Sequence, residues 1–145
     1  MCHKRLKHSY YFNVLAPLCL GVLIYMMSRP DRSVDKIASV IPFMARVRAW
    51  MYVEFQPSSY LGVFVKYHCT DFLWAYSLCW ATLYEGKNLF PRLIFCMIFC
   101  TLMEAIQIFP FMRATFDWLD VLYQLLGALC AYLIYKFQLT RIFVE

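Results

Sequence analysis

The sequence predicts an all-α integral membrane protein: a four-helix bundle with a short interfacial amphipathic segment between the first and second helices. Three observations carry that prediction. Of 145 residues, 63% are hydrophobic and only 16% charged, whereas soluble domains are about 45–50% apolar and about 25% charged. The apolar residues gather in separated runs of roughly spanning length, since about 20 residues at about 1.5 Å rise cross a hydrocarbon core of about 30 Å. Finally, no stretch alternates polar and apolar residues over the roughly ten positions that a transmembrane barrel strand needs. A single domain over residues 1–145 accommodates all the runs, with no repeat, low-complexity tract or soluble domain left over.

The first helix is expected over about 10–27, behind the basic flank Lys4, Arg5 and Lys7. It is long for the apolar core of a signal peptide, and Ser28-Arg29-Pro30-Asp31 offers no small-x-small cleavage site, so it reads as uncleaved. Pro17 is expected to kink it. Between Pro30 and Ser59 the chain is mixed. Over about 43–55, Phe43, Val47, Trp50 and Met51 recur at helical spacing while Arg46 and Arg48 fall elsewhere on the wheel. That pattern suits a helix lying in the membrane interface, and equally a helix packed on the protein itself.

The second helix is expected over about 71–84. An earlier start near Tyr60 would carry Lys66, His68 and Asp71 into the span, and a charge at a helix centre costs about 2.5–3.5 kcal/mol on insertion scales. Starting at Asp71 instead leaves all three at one membrane face, with the Asp71 carboxylate near the positive end of the helix dipole. After the turn Glu85-Gly86-Lys87-Asn88, Pro91 occupies the first turn of the third helix, where its missing N–H is no loss. That helix is expected over about 91–109, ending at Pro110, and the fourth over about 117–136.

The net charge of +5 is spread over the ends of apolar runs, which points to anionic lipid headgroups as partners rather than nucleic acid. Basic residues hugging the first helix favour a cytoplasmic N-terminus, and four spans return the C-terminus to the same side. Of the seven cysteines, Cys19, Cys79, Cys96, Cys100 and Cys130 fall inside apolar runs, where cysteine serves as a small apolar residue. Trp50, Trp74, Trp80 and Trp118 suit interface belts and helix packing.

The ionisable residues between Glu104 and Asp120 are the exception to this apolar plan, because a membrane helix normally excludes such groups. Glu104 and Gln107 share a face of the third helix, and Asp117, Asp120, Gln124, Gly127 and Ala131 share a face of the fourth. The short link makes these helices antiparallel neighbours, and small Gly127 and Ala131 permit close approach. Arg113 sits in the link, where its fork of donors can reach carboxylates from both helices.

The order Glu104-x-x-Gln107, Arg113, Asp117-x-x-Asp120, Gly127 resembles the signature of the VanZ-like family, small four-helix bacterial membrane proteins associated with glycopeptide and teicoplanin resistance. The resemblance is strongest over about residues 90–136. Gln124 stands where the family often has Asn, and the family's upstream Asp-Lys-x-x-His pattern is present only as Asp35-Lys36-x-x-Ser39, with Lys66, His68 and Asp71 as loose substitutes. The resemblance implies a setting, the bacterial cytoplasmic membrane and its cell envelope, more than a reaction.

Four roles fit the cluster. Glu104, Arg113, Asp117 and Asp120 can pair with one another and hold the hairpin in register. Gln107, Arg113, Lys66, Asp71 and Gln124 can bind a polar or anionic headgroup, a lipid-linked wall precursor or a lipoglycopeptide. Glu104, Asp117, Asp120 and His68 are the candidates for acid/base catalysis on a lipid or wall intermediate, although no nucleophile stands out. A divalent cation on Glu104, Asp117 and Asp120 is the fourth role, but the spacing fixes no ligand geometry, so neither a metal nor a cofactor is assigned. Tyr76 and Ser77 are expected to line the site from the second helix.

Overall fold

In the computed structural model, which describes residues 10–28, 42–51, 57–84, 88–109 and 116–144, every element among the described residues is helical. The first run opens with a π-helical turn, Tyr11–Leu15, closed by Ala16 N–H on the Tyr11 carbonyl, and continues as α1, Ala16–Ser28. Pro17 accounts for the wider turn. It brings no N–H, and its ring crowds the carbonyl four residues back, so the expected kink takes the form of a loosened ladder immediately before it.

The next element, α2, is Pro42–Met51, with proline at its first position. Phe43 and Trp50 are 68% and 87% exposed, and Arg46 is exposed as well. Phe43 and Trp50 are therefore open on the apolar side of α2, while Val47 on the same side is half-buried. Residues 52–55 of the expected segment, like the basic N-terminal flank, the Asp35 to Ser39 motif, the 85–87 turn and Arg113, lie outside the described residues.

The second run departs from the sequence expectation. Helical structure begins at α3, Tyr60–Val63, where Ser59 in extended conformation accepts the Gly62 N–H on its Oγ at 3.2 Å. It passes through a π-helical turn, Phe64–His68, directly into α4, Cys69–Tyr84. Asp71 therefore lies inside the helical run rather than at its start. Insertion costs assume an isolated ionisable group, and His68 is not isolated: it has a carboxylate partner on another helix.

Helix α5, Leu89–Ile106, closes with 3₁₀-type bonds from Gln107, Ile108 and Phe109 N–H to the carbonyls three residues back, at 2.9, 3.1 and 3.1 Å. This tightening is a common way to end a helix, and Pro110 follows. Helix α6, Trp118–Val144, runs further than expected, because the polar residues after Lys136 end the apolar stretch without ending the helix.

The core lies between α4, α5 and α6. Ala75, Cys79, Trp80 and Leu83 meet Leu93 and Cys96 from α5 and Ala128, Ala131 and Tyr135 from α6, all at most 5% exposed. Helix α6 packs most extensively on α4. Helix α5 and the Trp118–Thr140 part of α6 are long and apolar enough to cross a membrane, and only 22% and 33% of their apolar windows are buried within the molecule. A core helix of a soluble domain hides most of its apolar surface; these two leave most of it outside.

Candidate functional site

One face of α6 carries the site. Asp120 lies in the first turn of α6, Gln124 one turn on, and Gly127, Ala128 and Ala131 continue the same buried strip. At Gly127 the helix is so close to α4 that a Cβ there would stand 2.3 Å from the Phe72 carbonyl oxygen. This contact holds the first turn of α4 against α6 two turns beyond Asp120.

The first pair is His68 and Asp120. The imidazole Nδ1 and the carboxylate Oδ1 are 2.7 Å apart, with side chains 8% and 15% exposed. Since an ionised carboxylate can only accept, Nδ1–H donates, and in the neutral ring Nε2 keeps its lone pair. The ring is further held by Tyr123, which stacks on it at 4.8 Å with 22° between the planes, and Tyr123 in turn touches Phe64 at 5.0 Å. A histidine with one nitrogen on a carboxylate and one face on an aromatic ring is oriented as a general base or a donor is oriented.

The second pair lies one turn deeper. Gln124 Nε2 donates to Glu104 Oε1 at 2.9 Å, and the two residues are 8% and 4% exposed. A typical intramolecular hydrogen bond contributes about 0.5–1.5 kcal/mol. The amide's other end is different: Gln124 Oε1 is buried and has no hydrogen-bond partner among the described residues. An open acceptor at that depth costs about 1–3 kcal/mol and is a place for a ligand N–H or O–H. Three helical runs thus contribute to one two-step polar ladder: His68 ahead of α4, Glu104 from α5, and Asp120 and Gln124 from α6.

No protein-family model, curated protein or solved structure matches this chain. The site is defined by its own geometry.

That geometry separates residues that the spacing had grouped. Asp117 is exposed and precedes α6; its Oδ1 accepts the Leu119 N–H at 2.9 Å, an N-cap bond. Replacing Asp117 by Ala is expected to cost about 1 kcal/mol of stability and to leave ligand binding unchanged; a thermal melt paired with a binding measurement checks both. Among the described residues no three His, Cys, Asp or Glu side chains come together as a metal site, so Glu104, Asp117 and Asp120 do not form one. Gln107 is half-buried in the tightened turn after α5. Lys66 and Asp71 are half-buried on either side of His68, and the Lys66 ammonium lies 5.4 Å from the centre of the Tyr67 ring. Arg113 lies outside the described residues.

Tyr76 and Ser77 do other work. Tyr76 donates to Asn13 Oδ1 at 2.7 Å, tying α4 to the first run, and Ser77 Oγ returns to the Leu73 carbonyl at 2.8 Å. Sequence reasoning missed Tyr123 altogether. Its place one turn beyond Asp120 was the available signal, hidden by an aromatic content of 19%.

Proposed function

We propose that this chain is a VanZ-like integral membrane protein of the bacterial cell envelope. In this reading the helical runs cross the cytoplasmic membrane with both termini inside, and the ladder of His68, Asp120, Glu104 and Gln124 faces outward. There it engages the polar part of a lipid-linked wall intermediate or of a lipoglycopeptide, and tolerance to the latter is the physiological consequence. The membrane setting is supported by the two long apolar helices whose surfaces remain mostly outside the molecule. The ligand-binding role is carried by one observation, the buried Gln124 acceptor left open beside a paired carboxylate. A latch alone leaves that acceptor unsatisfied, and a ligand N–H or O–H would satisfy it.

Purified protein titrated with a lipoglycopeptide tests the role. Glu104→Gln and Gln124→Leu are expected to weaken binding about tenfold or more, the loss of one good polar contact at about 1.4 kcal/mol per decade. Unchanged affinity in both variants refutes it.

A second reading, a small membrane enzyme acting on a lipid or wall intermediate, is favoured by the oriented His68 ring, whose Nε2 would take the proton while Asp120 holds Nδ1–H. Glu104 would then serve as the acid. This reading requires a new or missing species in the lipid and wall-precursor mass spectrum on expression, absent with His68→Gln at equal protein level.

A further inference from the structure

The opposite end of the bundle holds a second site. Helix α4 ends at Tyr84 and α5 begins at Leu89, and beside this junction lies a cleft of about 560 Å³ lined by Ala81, Thr82, Pro91, Arg92 and Phe95. Arg92 is the one charged group in that lining. Its guanidinium donates to the Thr82 carbonyl, which engages one of its five N–H donors. No carboxylate among the described residues pairs with it. The start of α5 adds to the positive character. Its first turn has no acidic residue, and Asn88 makes no side-chain capping bond, so the positive end of the helix dipole at Leu89 and Phe90 meets no negative side chain of that turn.

The rest of the cleft is apolar. Ala81 and Pro91 line it, and Phe95, one turn along α5 from Pro91, is 59% exposed. Close by, Tyr10 and Tyr84 pack at 4.8 Å, and tyrosines of this kind favour the boundary between headgroups and acyl chains. A cation beside the start of a helix, opening onto an apolar strip, matches a ligand with a negative head and a hydrocarbon tail.

We infer that the Arg92 cleft binds the phosphodiester headgroup of an anionic glycerophospholipid, with an acyl chain lying over Pro91 and Phe95. This rests on the membrane reading above and is independent of the ladder at the other end. The lipid ties the α4 and α5 ends together from outside, adding phosphate contacts to the bond that Arg92 already makes to Thr82.

The test uses full-length protein in detergent, with lipid retention read by native mass spectrometry against added phosphatidylglycerol, phosphatidylcholine or inorganic phosphate. Wild type is expected to retain the anionic lipid about fivefold better than the zwitterionic one, the preference one arginine at a membrane surface supplies. Arg92→Gln abolishes that preference. Since Arg92 also bonds to the end of α4, Ala81→Leu provides the second arm: it narrows the cleft with the cation intact and is expected to lower retention of lipid. Equal retention of the two lipids by wild type overturns the inference, as does full retention by Ala81→Leu. Displacement of the lipid by inorganic phosphate at matched concentration also overturns it, because the site would then take free phosphate. Alkaline carbonate extraction of the same cells separates the two levels. Protein that stays in the membrane but shows no lipid preference refutes the inference alone, and protein released by carbonate refutes the membrane reading with it.

Discussion

Gly127→Ala is expected to be among the most damaging single substitutions in the described structure. The added methyl would stand 2.3 Å from the Phe72 carbonyl oxygen, 3.1 Å from its carbon and 3.2 Å from the Tyr76 nitrogen. All three are backbone atoms of α4, so no side-chain rotation relieves the clash; α4 and α6 have to part by about 1 Å in an interior packed as tightly as an organic crystal. Overpacking of this kind costs about 1–3 kcal/mol. Here it also loosens Ala128 and Ala131, both 0% exposed, and pulls His68 away from Asp120. Gly21→Ala is the matched control: its Cβ would meet the Leu73 Cβ at 3.5 Å, an ordinary contact, while alanine gains helix propensity worth about 1 kcal/mol. Thermal unfolding followed by size-exclusion fluorescence should show Gly21→Ala as stable as wild type or more so, and Gly127→Ala clearly less. Equal melting of both variants would remove the close approach of α4 and α6 from this account.

The second large effect concerns Glu104 and Gln124. Glu104→Leu strands the buried Gln124 amide with neither end bonded, which costs about 1–3 kcal/mol. Glu104→Leu combined with Gln124→Leu replaces both partners with apolar groups of similar size, and such paired replacements are often neutral or stabilising. The double variant should therefore regain most of the stability lost by the single one, a coupling that a double-mutant cycle measures. Stability and function then separate. A latch made of apolar side chains still latches, whereas a binding site without its carboxylate and open acceptor does not bind. The double variant is expected to fold and to be inactive.

How much of this was readable beforehand follows from what spacing can and cannot encode. Hydropathy located the helical runs, and the three- and four-residue steps put Glu104 on one face of α5 and Asp120, Gln124 and Gly127 on one face of α6. Those steps could not say where α6 begins. Asp117 is in phase with Asp120, but the helix starts at Trp118, so Asp117 caps the helix end instead of joining the face. His68 was harder to place. A single sequence carries no record of which residue on another helix sits opposite, and without Asp120 beside it a histidine within an apolar run looks too costly to bury. The helix therefore seemed to begin after it. The π-helical turn Phe64–His68 left no trace in the periodicity, because it shifts the phase by about one residue within a stretch already interrupted by polar groups.

The central claim is that the ladder formed by His68, Asp120, Glu104 and Gln124 is a working site and not a latch. Its most direct test is lipoglycopeptide susceptibility of a Gram-positive host expressing wild type, His68→Gln, Glu104→Gln or the Glu104→Leu/Gln124→Leu double variant, at matched membrane abundance. The account predicts that wild type raises tolerance and that all three variants, though folded and present, do not. Tolerance preserved in the double variant, or raised by none of the proteins including wild type, contradicts it.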